Sequence, residues 1–218
     1  MSQLIFKFPF KTTYFEKDFF VSNNNFGAYK LIESWPKWPN KLINIFGPSG
    51  CGKTHLINIL NKKLKLLIID ASKFDENINN LVENFDCIAI ENFKGNINEN
   101  LLYSFINQVS QLDKSIIINS LINIKNLKID LIDLKSRLAS FLEIEINLPT
   151  DDLIRVIISK TFSDKQIDLS NKNLEFILKN IERSYEKVFK FTKDIDNISL
   201  STGKSININL IKKVLLNE

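Results

Sequence analysis

The residues Gly47-Pro48-Ser49-Gly50-Cys51-Gly52-Lys53-Thr54 decide how this chain is read. They fit the phosphate-binding loop pattern GxxxxGK[ST] in full. The run before them, Leu42-Ile43-Asn44-Ile45-Phe46, predicts a buried strand, and Leu56, Ile57, Ile59 and Leu60 behind them fall at helical spacing. Strand, glycine loop and helix form the context in which this pattern holds phosphate. Gly47, Gly50 and Gly52 remove the Cβ atoms that would keep a polyphosphate away from successive backbone N–H groups. The start of the following helix adds free N–H groups and the positive end of its dipole. Lys53 supplies a mobile cation, and the Thr54 hydroxyl suits a bound magnesium ion.

The 218 residues suffice for one ordinary domain and a small appendage. Hydrophobic residues at 44% and charged residues at 25% are globular proportions, which argues against a disordered chain. The net charge of +4 is scattered along the sequence, a weak basis for a nucleic-acid surface. No apolar run is long enough to span a bilayer, and the Phe-rich N-terminal segment has no signal-peptide layout, so the chain is expected in the cytoplasm. Cys51 and Cys87 build no disulfide framework. Cys51, at a helix N-terminus, reads either as a thiol of lowered pKa or as a small loop residue.

Working outward, Leu4, Phe6, Phe8 and Phe10 lie on one side of an extended chain, which suits a half-buried edge strand or a peptide that docks on another protein. A turn or cap at 23–25 precedes a helix from Phe26 to Trp35, ended by Pro36. Beyond the loop helix, apolar strands are expected at Leu66–Asp70, at Cys87–Glu91, at Ser115–Ser120 and at Phe141–Leu148, the last alternating as an edge strand does. Amphipathic helices are expected at Asp75–Phe85 and between Asn98 and Lys114. Alternating strands and helices predict a parallel sheet with helices on both faces. After Pro149 only helical segments follow, 151–162, 171–181, 185–200 and 206–216, with Ser184 placed to cap the third and Gly203 to end it. The expected organisation is an extended peptide at 1–13, an α/β nucleotide-binding domain at 14–149 and a helical domain at 150–218.

The second strand after the loop ends in Glu91-Asn92. Glu91 can serve a metal, whereas Asn92 can orient a water but cannot take its proton. Arginine is rare here, with Lys at nearly every basic position: only Arg137, Arg155 and Arg183 occur. Retained arginines suit planar bidentate partners such as phosphate, or plain surface ion pairs. The lone histidine, His55, has no cysteine or carboxylate at metal spacing and is not read as a ligand.

Gly52-Lys53-Thr54-His55-Leu56 after such a strand, with Phe20-Val21 and Asn25-x-x-Ala28 ahead of it, resembles the DnaA-type AAA+ ATPases over nearly the whole chain. The chain is most similar to the Hda regulators, DnaA homologues without the DNA-binding domain. That likeness rests on Gln3-Leu4-x-Phe6-x-Phe8, on Trp35-Pro36-Lys37-Trp38-Pro39 and on Ile181-Glu182-Arg183-Ser184. The resemblance implies an AAA+ three-layer αβα sandwich with a five-stranded parallel sheet and a helical lid. It also implies ADP or ATP as bound nucleotide, with Mg at Thr54 and Glu91. Nucleotide contacts fall to Phe20, Val21, Asn25, Gly47, Pro48, Ser49, Gly50, Cys51, Gly52, Lys53, Thr54 and His55, with Arg183 as the sensor 2 arginine of the lid. Glu91 and Asn92 take the Walker B positions, Asn119 or Ser120 sensor 1, and Arg137 the arginine finger that acts in trans.

Gln3, Leu4, Phe6 and Phe8 match the peptide by which Hda proteins bind the DNA polymerase sliding clamp. The implied partners are that clamp and ATP-bound DnaA, with a homo-oligomer compatible, DNA reached only indirectly and no membrane. Initiators of the family carry two acids where this chain has Glu91-Asn92, so weak or no intrinsic ATPase activity is expected. They also continue into a helix-turn-helix domain that is not expected here. The resulting expectation is a clamp-bound regulator that inactivates DnaA by promoting hydrolysis of its ATP. The alternatives are an autonomous initiator-like or helicase-loader ATPase acting on DNA, and an assembly module that only occupies partner surfaces.

Overall fold

A computed structural model describes residues 19–165, 167, 169–202 and 206–215. The expected clamp-binding residues Gln3, Leu4, Phe6 and Phe8 and the helix stop at Gly203 lie outside these. The described residues up to 147 form one compact unit, and those from 148 onward form another.

The first unit is built on five parallel strands, β1 (Leu42–Phe46), β2 (Leu66–Asp70), β3 (Cys87–Phe93), β4 (Ser115–Ser120) and β5 (Leu142–Glu145), in the order β2-β3-β4-β1-β5. Central β4 is buried along its whole length, and β5 is an edge strand. Among the described residues four α-helices belong to this unit: α1 (Phe26–Glu33), α2 (Lys53–Leu60), α3 (Glu99–Gln111) and α4 (Ile132–Ala139). Side chains alternate across a strand, and one set, Ile69, Ile88, Ile90, Ile116 and Ile118, packs with Leu102, Phe105, Ile106 and Val109 of α3 and Leu134 and Leu138 of α4. The other set, including Ile43, Ile45, Ala89 and Ile117, is buried on the opposite face, where Leu56 and Ile57 of α2 and Ala28 and Ile32 of α1 are also fully covered. Two helical layers thus enclose the sheet.

A buried polar group sits within this sheet. Asn44 of β1 donates to the Ile118 carbonyl at 2.9 Å and to Ser120 Oγ at 2.9 Å, while its Oδ1 accepts from Ile124 N at 3.1 Å. Each bond is to the neighbouring strand or its outgoing loop, so Asn44 pins the end of β4 beside the glycine loop. At the end of α1, Trp38 Nε1 donates to the Leu31 carbonyl at 2.7 Å, and the Trp35 and Trp38 rings meet edge to face at 4.6 Å.

Two expectations need correction. The stretch 75–85 is not one α-helix but two short 3-10 segments, Glu76–Asn80 and Val82–Asn84. Ile78 and Val82 are buried, but Leu81, which the helical spacing groups with them, is 44% exposed; Asp75 caps the first segment, and its asparagines favour short turns over a continued helix. Strand β3 runs past Glu91 to Phe93, with a register break between Ile90 and Phe93. Arg137, just before the edge strand in sequence, lies on helix α4.

The second unit holds α5 (Asp151–Asp164), α6 (Asn171–Asn180), α7 (Tyr185–Thr202) and α8 (Ile208–Leu215). Ile154, Ile158 and Phe162 of α5, Ile177 of α6, Val188, Phe191 and Ile195 of α7 and Ile211 of α8 share one core. Thr150 caps α5, Ser170 caps α6, and Ser184 Oγ accepts from Lys187 N at 3.2 Å at the start of α7.

Candidate nucleotide site

The loop between β1 and α2 takes a shape that only glycine permits at its ends. Gly47 has φ +155°, and a Cβ there would run into the Ile146 carbonyl oxygen. Gly52 has φ +100°, and a Cβ there would approach the Phe19 ring to 2.8 Å. Helix α2 then starts with no side-chain cap and no acid in its first turn. Helix α1 likewise starts without a side-chain cap or an acid, whereas Asn98, Thr150 and Ser170 cap α3, α5 and α6; what sets α2 apart is the glycine loop ahead of it. An uncapped helix start behind a glycine loop is a ready anion site.

Lys53 curls back over the loop, its ammonium donating to the Gly47 carbonyl at 2.7 Å and the Pro48 carbonyl at 3.0 Å. Cys51 beneath it is buried, and burial pushes its thiol pKa up despite the opposing charge of Lys53, which disposes of the lowered-pKa reading. Ser49 and Gly50 are exposed at the loop tip.

Thr54 Oγ1 donates to Glu91 Oε2 at 2.8 Å, and Asn119 Nδ2 donates to Glu91 Oε1 at 2.8 Å. The start of α2 and the strands β3 and β4 thus place Thr54, Glu91 and Asn119 together. Glu91 is only 7% exposed, and its desolvation outweighs these two donors and Lys53, holding its pKa above the usual carboxylate value. Asn119 is 1% exposed, and its Oδ1 is buried without a partner. A hydroxyl and a carboxylate side by side are hard oxygen donors of the kind magnesium takes together with phosphate and water, while the Asn119 oxygen faces away from Glu91. The residues present therefore fit a nucleotide and its metal. Ser120, the other sensor candidate, is instead bound to Asn44 and to the Ile122 carbonyl at 2.6 Å, so it serves the sheet.

Asn25 is buried at the entry to α1, accepting from Ser22 N at 2.8 Å and donating to the Phe20 carbonyl at 2.8 Å. It shapes the segment carrying Phe20 and Val21, of which Val21 is 44% exposed. The ring that reaches the loop is Phe19, one residue ahead of the predicted pair. It stacks on Tyr29 at 5.8 Å and meets His55 edge-on at 5.3 Å. Apolar spacing gave no sign of Phe19, because its contacts depend on the turn that Asn25 closes.

A second residue escaped the sequence reading. Asp70, at the end of β2, is in register with Glu91 and accepts from Asn92 Nδ2 at 2.6 Å. Ser72 donates to its other oxygen through N at 2.9 Å and Oγ at 2.5 Å, and these bonds together pull its pKa down to about 2.

The arginines divide sharply. Arg155 pairs with Glu175 at 2.6 Å, and Arg183, the sensor 2 candidate, pairs with Asp151 at 2.9 Å, each within the helical unit. Arg137 is exposed on the last turn of α4, and its guanidinium has no hydrogen bond or ion pair among the described residues. No helix of the described residues is long and apolar enough to cross a membrane.

No protein-family model and no curated protein matches this sequence. Solved structures do. Domain III of the Thermotoga maritima replication initiation protein DnaA superposes with a TM-score of 0.78 at 19% identity, over 96% of this chain and 98% of that one. A replication initiator DnaA bound to AMPPCP and single-stranded DNA gives 0.69 at 19% identity, over 87% and 66%. The Thermotoga maritima RuvB Holliday junction branch migration motor gives 0.68 at 18% identity, over 89% and 68%. Likeness at such identities speaks for architecture: the chain has the fold of DnaA domain III, a P-loop αβα sandwich followed by a helical part.

Proposed function

We propose that this chain is a clamp-associated, adenine-nucleotide-binding regulator that inactivates the replication initiator DnaA by promoting hydrolysis of its bound ATP. The observation that carries the reading is Arg137, the one arginine of three without an ion pair among the described residues, held outward on a rigid helix. A guanidinium left unpaired in its own chain suits the charge of a transferring phosphoryl group on another.

Nucleotide binding is supported by the uncapped start of α2, the Thr54–Glu91–Asn119 cluster and the AMPPCP bound by a similar DnaA. In this reading Lys53 and Thr54 hold ADP or ATP, Glu91 supports Mg, and Arg183 is the sensor 2 arginine of the helical part. The chain's own strand end offers Asn92 where a second acid would stand, so turnover in trans outweighs turnover in cis. Clamp association rests on the sequence peptide Gln3, Leu4, Phe6 and Phe8.

The test is Arg137→Ala, assayed with ATP-loaded DnaA and sliding clamp on DNA. The variant is expected to bind nucleotide and clamp normally while losing most of the stimulation, about 10³ to 10⁵ in rate for fingers of this kind. Full stimulation by the variant would refute the finger assignment, and a regulator acting only by occupying surfaces would then be favoured.

A further inference from the structure

The bond between Asp70 and Asn92 has a cause in the backbone. Ile90 and Phe93 both pack into the α3 side of the sheet although they are three residues apart. Strict alternation would put Asn92 into that apolar core. The register break between Ile90 and Phe93, with Asn92 at φ +59°, inserts one extra residue and turns Asn92 out to the surface. There its Nδ2 meets Asp70 Oδ2 at 2.6 Å.

The chemistry of that contact fixes the amide. An ionised carboxylate only accepts, so the NH2 group must face Asp70 and the carbonyl oxygen must face away. Ser72 occupies the other oxygen of Asp70 and prevents it from turning. Asn92 Oδ1 is then an exposed acceptor of fixed orientation, engaged by no group among the described residues, one position beyond the carboxylate that binds Thr54.

We propose that Asp70 is a positioning residue for a slow hydrolysis of ATP by this chain itself, locking Asn92 so that its Oδ1 accepts a hydrogen bond from the attacking water. The inference rests on the nucleotide-binding reading of the loop. The water oxygen bonds to the terminal phosphorus as the bond from that phosphorus to the bridging oxygen breaks. An amide cannot take the water's proton, so the proton passes to an oxygen of the terminal phosphate. ADP and inorganic phosphate leave, and no further reactant is needed. Orientation without a base accounts for slowness.

Asp70→Asn is the decisive variant. It keeps the size and can still accept from Ser72, but it presents an NH2 to Asn92 and forces that amide round. Asn92→Gly removes the amide and suits the positive φ, and it carries the comparison alone if Asp70→Asn does not fold. Single-turnover hydrolysis of ATP prebound to the full chain, without partners, should slow roughly 10- to 100-fold in each variant, with ATP affinity within about twofold. The double variant should be no slower than either single one, since both remove one device. In nucleotide-free, 15N-labelled protein the side-chain NH2 resonances of Asn92 should move on Asp70→Asn. An unchanged rate, additive losses or unmoved Asn92 resonances would overturn the proposal. Wild-type protein that binds ATP but never turns it over overturns this proposal alone, whereas wild-type protein that binds no nucleotide overturns the reading beneath it as well.

Discussion

Lys53 and Arg137 are both cations assigned to phosphate, yet their own chain treats them oppositely. Lys53 is folded onto the Gly47 and Pro48 carbonyls, and its neighbour Thr54 is bonded to Glu91. Arg137, on a helix whose inner face is fixed by Leu134 and Leu138, has no partner among the described residues. A charge satisfied by carbonyls within its own loop can exchange them for phosphate at small cost, and it keeps the loop ordered meanwhile. A charge left in solvent on a rigid element gains only when another molecule arrives. On the proposed function, the difference separates a group that holds nucleotide from one that meets a partner.

Arg137→Ala therefore carries the largest expected effect, and it falls on a partner's rate rather than on this chain. Lys53→Ala should break the other side of the contrast. Loss of its charge-assisted contacts should weaken ATP affinity roughly 10- to 100-fold by titration calorimetry while the fold persists. If Lys53→Ala instead left affinity intact and abolished stimulation of DnaA, the two roles would have to be exchanged. Asn44→Ala comes next. It strips buried partners from Ile124 N and the end of β4, and a loss of about 1–3 kcal/mol in denaturant unfolding is expected, the cost of unmet buried groups. The smallest effect is expected from Arg155→Ala. Its pair with Glu175 is half-exposed, and such pairs contribute about 0–1 kcal/mol. A larger loss would mean that paired and unpaired arginines here differ in more than their partners.

The features legible in the sequence were those with a period or a pattern. Each strand run, the loop signature and the helices of the second unit appeared because burial imposes spacing on Ile, Leu and Phe. Thr54 was legible from the loop pattern and Glu91 as an acid at a strand end, whereas Asn119 came only through the family resemblance, which left Ser120 as an equal alternative. Phe19, Asp70 and the outward turn of Asn92 were not legible. Asp70 closes an apolar strand like any polar terminator, and its importance arises from a register with Glu91 and a bulge in the next strand. No local pattern encodes either. Helix α4 was missed because two buried leucines in eight residues barely mark a helix. The roles of Cys51 and the 75–85 stretch turned on desolvation and capping, which composition does not resolve.

The edge-to-face pair of Trp35 and Trp38 has a practical consequence. These are the only tryptophans in the chain, they touch one another, and both belong to the α/β unit. Tryptophan emission is thus a local reporter at the end of α1, whereas far-ultraviolet dichroism sums over both units. Melting curves recorded by the two signals need not coincide, and the gap between them measures directly how far the two units share one cooperative transition.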